Sequence, residues 1–297
     1  MKYQNIKRAG FAVSQLSMGC MSLHSDQDNP ENIIAKAVDK GITLFDTADL
    51  YDKGDNEKLL GKALKSKRND VFISTKVGNR WKFDGSGWDW CPTKNHILSA
   101  IDQSLKRLQT DHIDLYLLHG GTMDDPFDEV LEAFELLKQI GKIHAYGVSS
   151  IRPNVIKEYV KISEISAVMT QYSLLDRRPE EETLDILEQN NIAVLARGTV
   201  AGGLLIDKPA AAYLDYSEND VQSILSEIDR FRGLKTRQEI ASAYVQMEPA
   251  IATSVAGIRT MKQLDEALAA FDKNAMTHAE RNELGKMWAA NSYQAQR

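Results

Sequence analysis

Four side chains in the N-terminal half of the chain have the types and spacing of a proton-transfer site. Asp46 and Tyr51 lie five residues apart, Lys76 follows 25 residues later and His119 another 43 later. A carbonyl oxygen that gains negative charge during reduction needs a proton. A tyrosine hydroxyl can supply it, but with an unperturbed pKa of about 10 it does so slowly at neutral pH. A neighbouring ammonium stabilises the phenolate left behind. A carboxylate beside that ammonium keeps it charged and in place, and a histidine donating to the carbonyl oxygen stabilises the developing oxyanion. Taken singly, Lys76 reads equally well as a surface lysine at a strand end, Asp46 as a helix cap and His119 as a core histidine. Together, at the ends of consecutive strands, they read as one site.

Those strands are visible as short apolar runs alternating with amphipathic stretches. Strands are predicted at Leu16–Cys20, Thr43–Asp46, Val71–Thr75, Ile113–Leu118, Ile143–Val148, Ala167–Gln171, Ala193–Ala196 and Ala252–Ala256. Each is mainly apolar, as strands covered on both faces must be. Helices are predicted at Glu31–Lys40, Asn56–Lys65, Ile97–Leu108, Phe127–Ile140, Pro153–Val160, Glu180–Gln189, Arg237–Val245 and Met261–Phe271. Gly41 and Gly141 are suitable helix stops, and Ile97, Ile101, Leu105 and Leu108 share one helix face. Strict alternation calls for parallel strands joined by right-handed crossovers. Eight such units close into an α/β fold of the (β/α)8 TIM-barrel type, whose active site sits at the C-terminal ends of the strands. An open doubly wound sheet would normally carry a GxGxxG turn after an early strand, and no such string occurs near the first one. Outside the repeat, the first dozen residues are predicted to form an N-terminal hairpin turning at Ala9-Gly10. Gly203–Gly233 is predicted as a long loop after strand seven, and Thr277–Trp288 as an extra C-terminal helix. No linker divides the chain, so residues 1–297 are expected to form a single domain.

Composition excludes several classes. The formal net charge of −6 argues against a nucleic-acid or anionic-membrane partner, because phosphate binding needs a concentrated basic face. Cys20 and Cys91 are too few for a disulfide framework, and no CxxC or Cys/His cluster suggests zinc, so no metal is expected. The start, MKYQNIKRAGFAV, lacks the apolar stretch of a signal peptide, and no apolar run approaches the roughly 18 residues of a membrane span. A cytoplasmic location is expected, with reduced thiols. The expected partner is a small carbonyl compound. The oligomeric state is left open, a monomer being compatible.

The stretch Gly41–Tyr51 (GITLFDTADLY) resembles the signature of the aldo-keto reductase superfamily. So do Val71–Lys76 (VFISTK), Leu105–Leu108 with Asp111–His119 (DHIDLYLLH), Gly141–Ser150 (GKIHAYGVSS) and Gln171–Asp176 (QYSLLD). The likeness runs from about residue 3 to about residue 272, with the motifs in order. It implies a TIM barrel that binds NAD(P)H without a Rossmann domain and passes hydride to an aldehyde or ketone. The family's catalytic residues fall on Asp46, Tyr51, Lys76 and His119. Its nicotinamide-amide pair falls on Ser149 and Ser150, and its nicotinamide-contacting glutamine on Gln171. Its adenosine-phosphate segment falls on Val255–Gln263 (VAGIRTMKQ), with Gly257, Arg259 and Gln263. A glycine beside a helix start lets backbone N–H groups approach a phosphate, and Arg259 can fork onto a 2′-phosphate. NADP(H) is therefore expected over NAD(H). The resemblance also admits a cofactor-holding regulatory or sensor barrel with little turnover, but such a binder would not need the intact tetrad.

The sequence departs from the family in the surrounding shell. Ser150 stands where asparagine is usual. Arg197, followed by Gly198, stands where an aromatic usually stacks on nicotinamide. A guanidinium is planar and can stack, and its charge disfavours the cationic oxidised ring. Gly120 stands where many members have tryptophan, which is expected to open one side of the substrate pocket. The loop Gly78–Pro92 holds three of the four tryptophans, Trp81, Trp88 and Trp90, and aromatics at a barrel mouth suit an apolar or ring-bearing substrate.

Overall fold

The computed structural model describes residues 1–27, 29–272 and 276–297. In chain order the first elements are β1 (Tyr3–Ile6), β2 (Phe11–Ser14), β3 (Leu16–Gly19), α1 (Pro30–Asp39), β4 (Leu44–Asp46), α2 (Asp55–Leu64) and β5 (Phe72–Val77). Next come β6 (Asn79–Trp81), β7 (Trp88–Trp90), α3 (Lys94–Leu108), β8 (Ile113–Leu118), α4 (Phe127–Gln139), β9 (Ile143–Ser149), α5 (Pro153–Ile162) and β10 (Ala167–Gln171). The last are α6 (Thr183–Gln189), β11 (Ala193–Arg197), α7 (Glu218–Phe231), α8 (Arg237–Gln246), β12 (Ile251–Gly257), α9 (Met261–Asp272) and α10 (His278–Leu284).

Eight strands close into a parallel barrel in the order β3-β4-β5-β8-β9-β10-β11-β12, with β12 pairing back onto β3. All eight predicted strands are present. Leu44, Leu115, Leu117, Ala145, Ala167, Met169, Leu195 and Val255 fill the interior. The opposite strand faces pack on the helices, through residues such as Tyr116, Phe134 and Tyr146. One wall is close enough to demand glycine: a Cβ on Gly147 of β9 would lie 2.0 Å from the Ala167 carbonyl oxygen.

The predicted hairpin forms from β1 and β2, with Gly10 at φ 77° in its turn. Ile6 and Val13 are fully buried against the interior cluster, so the hairpin plugs the end of the barrel remote from the strand C-termini. Phe11 stacks on Phe72 at the start of β5, with ring centroids 4.3 Å apart.

Several boundaries differ from expectation, three of them outside the barrel strands. The segment predicted as a long loop, residues 203–233, contains α7, started by a capping box between Ser217 and Asp220. Val221, Ile224, Leu225 and Ile228 form its buried face. Sixth-unit helicity begins as a short 3-10 turn at Arg178–Glu181 before α6. The C-terminal helix starts at its Thr277 cap but stops at Leu284, short of Trp288. Among the described residues no helix is long and apolar enough to cross a membrane.

Candidate active site

The site is built on the barrel register. Asp46 ends β4, beside Gly19 of β3 on one side and Ser74 of β5 on the other. Lys76 lies within β5, which runs on to Val77 instead of ending at Thr75 as predicted. The alternation of the strand turns Lys76 and Ser74 towards Asp46. Ser74 Oγ donates to Asp46 Oδ1 at 2.6 Å, and Lys76 Nζ donates to Asp46 Oδ2 at 2.7 Å. Lys76 Nζ also donates to the Thr47 carbonyl at 2.6 Å and reaches the Tyr51 hydroxyl at 3.4 Å. Only 1% of the Lys76 side chain is exposed, yet its pKa is raised. Burial opposes the charge, and the Asp46 carboxylate followed by Tyr51 outweighs it.

Tyr51 is held by an unusual turn. Asp52 and Lys53 both adopt the left-handed region, at φ 52° and 53°, which costs non-glycine residues energy and clusters at functional sites. His24 Nδ1 pairs with Asp52 Oδ2 at 2.8 Å across this turn. The Tyr51 ring meets His119 edge to face at 5.8 Å between centroids, and Lys76 Nζ lies 5.0 Å from the Tyr51 ring centre. His119 follows β8, its N–H bonded to the Val77 carbonyl at 2.7 Å. Burial first, then the charges of Lys76 and Arg197, push its pKa down to about 3, so the imidazole is neutral at physiological pH. Its Nδ1 is buried without a partner in the protein. Asp46, Tyr51, Lys76 and His119 thus form one cluster.

The residues aligned with nicotinamide binding lie at the next strand ends. Ser149 ends β9 and Ser150 follows, both largely buried. Ser150 Oγ accepts from the Arg152 N–H at 3.2 Å. Gln171 and Arg197 are register partners at the ends of β10 and β11. Arg197 Nη1 donates to Gln171 Oε1 at 3.2 Å, and Gln171 Nε2 donates to the Tyr213 hydroxyl at 3.0 Å. Gly198 sits against Gln171 in a positive-φ conformation. Gly257 ends β12 at an open face, where an added Cβ would find its nearest neighbour 3.9 Å away. Arg259 is exposed, its N–H capped by Gln263 Oε1 at 3.0 Å. These last three surround the start of α9.

The mouth has a lining that the sequence does not disclose. β6 and β7 pair as a hairpin inside the predicted loop. It places the six-membered ring of Trp90 about an ordinary contact distance from Gly120, 3.6 Å from where a Cβ would be. The side expected to be open at Gly120 is therefore occupied by Trp90. Trp90 Nε1 donates to the buried Asp125 carboxylate at 2.7 Å, and Asn79 Nδ2 ties the hairpin to the His119 carbonyl at 3.3 Å. Phe83 and Trp88 remain exposed.

A supporting shell also lacks individual motifs. Asn56 at the start of α2 accepts from Thr47 Oγ1 at 2.7 Å and donates to the Cys20 and Leu23 carbonyls, joining the β3 and β4 loops. Fully buried Glu57 accepts from Thr75 Oγ1 and Arg107 Nε, each at 2.6 Å. The polar pair opening an otherwise apolar helix face is the sequence signal for this shell. Tyr213 has none, because it comes from the segment before α7.

A model of the aldo/keto reductase family matches residues 15–289. The chain is 42% identical, over the whole of both chains, to the oxidoreductase YqkF of Bacillus subtilis. Its fold superimposes on the holo form of the aldo-keto reductase AKR11C1 from Bacillus halodurans with a TM-score of 0.96, at 43% identity, covering 100% of this chain and 99% of that one. A more distant relative, the NADH-specific methylglyoxal reductase of Escherichia coli, is 26% identical over 79% of this chain and 80% of its own.

Proposed function

The chain belongs to the aldo/keto reductase family, and from that premise we propose that it reduces an aldehyde or ketone to an alcohol with NADPH, Tyr51 serving as the general acid. The observation that carries this reading is the buried Lys76 ammonium held between the Asp46 carboxylate and the Tyr51 hydroxyl. When bound, the reduced nicotinamide supplies the hydride. Tyr51 gives its hydroxyl proton to the substrate oxygen. Lys76 stabilises the resulting phenolate, and Asp46 holds Lys76 charged inside the barrel. His119, neutral, orients the carbonyl and donates to its oxygen as charge develops there.

The donor set suits a dinucleotide. Ser149 and Ser150 offer hydroxyls for a carboxamide at the end of β9. Gln171, itself anchored on the Tyr213 hydroxyl, accepts from Arg197 and so holds a planar cation beside them. Its charge disfavours the oxidised ring and so biases binding towards the reduced cofactor. Gly198 leaves room for Gln171, and Gly257 leaves the backbone before α9 approachable by a phosphate. Arg259 reads the 2′-phosphate and Gln263 fixes the turn that presents it. The NADH-specific relative means that membership alone does not set the nucleotide, and Arg259 is the feature that favours NADP(H). We place the protein, as one domain, in the cytoplasm.

A titration of nucleotide fluorescence, followed by NADPH consumption with a panel of aldehydes, ketones and sugars, tests the proposal. Nucleotide-dependent turnover of at least one carbonyl class supports it. Tight nucleotide binding with no turnover across the panel would favour a sensor barrel.

A further inference from the structure

Away from the strand ends that carry the tetrad, His112, Asp114 and His144 converge on the outer face of the barrel wall. In the β8–β9 register Ile113 pairs with Ile143 and Leu115 with Ala145, so Asp114 and His144 are neighbours. Leu115 and Ala145 fill the interior, and strand alternation turns Asp114 and His144 outward. His112 immediately precedes β8.

Asp114 is nearly buried, with one oxygen committed. Its Oδ2 accepts from Arg68 Nη2 and from the Ile73 N–H of β5, each at 2.8 Å. The other oxygen faces two imidazoles, with His144 Nδ1 at 3.3 Å and His112 Nε2 at 3.7 Å. One ligand atom from each residue lies within 4.8 Å of the others. A charged hydrogen bond would be roughly 2.7–2.9 Å, shorter than either separation. Two atoms sharing a tetrahedral zinc ion at roughly 2.1 Å sit roughly 3.4 Å apart, between the two observed distances.

An independent feature lies on the far side of His112. Its Nδ1 is 2.6 Å from Asp111 Oδ1. A carboxylate there holds the proton on Nδ1, which in the neutral ring leaves Nε2 as a lone pair facing Asp114 Oδ1. A metal ion between Nε2 and Asp114 Oδ1 would bond both atoms. A carboxylate on the remote N–H is also the usual device that orients a metal-ligating histidine.

We propose that His112, Asp114 and His144 bind a divalent transition-metal ion of the zinc type. Two imidazoles and one carboxylate suit zinc and its neighbours better than magnesium or calcium, which prefer all-oxygen sets. The ligands are separated in sequence by one and by 29 residues, which is why no metal motif is visible there. The two rings now stack at 4.4 Å and 24°. Binding turns half-exposed His144 so that both nitrogens reach one ion, and leaves a position for water. The Arg68 charge on the other carboxylate oxygen lowers the affinity below that of an unpaired carboxylate. Because Asp114 also holds Ile73, the ion ties β5, β8 and β9 together at a place remote from the reaction.

The test uses untagged full-length protein stripped with a chelator, titrated with Zn2+ by calorimetry and with Co2+ by visible absorption. One ion per chain and a Co2+ ligand-field band are expected. His144→Ala and His112→Ala should each weaken binding by at least about tenfold, and Asp111→Asn by roughly tenfold. Carbonyl reduction should be the same with and without the ion. His144 is half exposed, so His144→Ala should keep the metal-free melting temperature. Absence of stoichiometric binding, or binding unchanged in both histidine variants, would overturn the proposal.

Discussion

Replacing Asp46 by Asn removes the carboxylate but keeps the shape, and so leaves the Lys76 ammonium buried without its counter-charge. Lys76 is 1% exposed and its remaining neighbours are the Thr47 carbonyl and the Tyr51 hydroxyl. Breaking one side of a buried ion pair costs about 3–5 kcal/mol. For a chain of 297 residues the unfolding entropy is about 0.6 kcal/mol/K, so the melting temperature should fall by about 5–8 °C. In the native protein the Lys76 pKa is raised, burial being outweighed first by Asp46 and then by Tyr51. A lysine with a raised folded pKa contributes stability that is complete below its unfolded value of about 10.4 and is lost as pH rises through the folded one. Native stability should therefore show no Lys76 titration until strongly alkaline pH. In Asp46→Asn burial dominates, the lysine pKa drops, and turnover should decline as pH rises through that lower value. Turnover itself should fall by about a hundredfold or more. The double variant Asp46→Asn with Lys76→Met separates packing from chemistry. It should regain most of the lost melting temperature, because no buried charge is left, and remain inactive. Calorimetry and a kcat–pH profile read both effects. A melting temperature within about 1 °C of native, with an unchanged pH profile, would refute the buried-pair reasoning.

Three further outcomes are expected. Arg259→Ala should raise the KM for NADPH by about tenfold or more while that for NADH changes little, and equal effects on both would remove Arg259 from 2′-phosphate recognition. Arg197→Tyr should shift the ratio of reduced to oxidised cofactor affinity towards the oxidised form by about tenfold, or about 1.4 kcal/mol, read by paired fluorescence titrations. His119, with its pKa lowered to about 3 by burial, Lys76 and Arg197, should stay neutral in nitrogen NMR down to about pH 4. Its contribution to stability should be lost as pH falls from about 6.5, the unfolded value, towards 3. A ring that titrates near pH 6.5 would contradict the described burial.

The barrel is legible because its strands are buried on both faces and so read as continuous apolar runs. At β5 a polar residue hides the true end of the strand. Lys76 looks like the end of a strand, yet β5 continues through it because Asp46 neutralises it from the next strand. The helix α7 has its signals in plain view, a Ser217–Asp220 capping box and a periodic apolar face, but the segment interrupts the repeat and reads as an insertion. The tetrad is legible because strand ends in a barrel are where side chains converge. Its support is less so. Glu57 needs Arg107, 50 residues away, to be understood as a paired buried carboxylate. Trp90 fills the space beside Gly120 through a hairpin anchored by Asp125 and by the His119 carbonyl, both outside it. Gln171 meets Arg197 through the strand register, but its second partner, Tyr213, lies where no spacing rule points.

Tyr51→Phe tests most directly whether the Tyr51 hydroxyl delivers the proton. NADPH consumption with a carbonyl substrate and nucleotide affinity should be measured on the same preparation. Turnover is expected to fall by at least about a hundredfold, with the nucleotide Kd within about twofold of the native value. Turnover within about tenfold of native, at unchanged affinity, would contradict the assignment of Tyr51 as the acid.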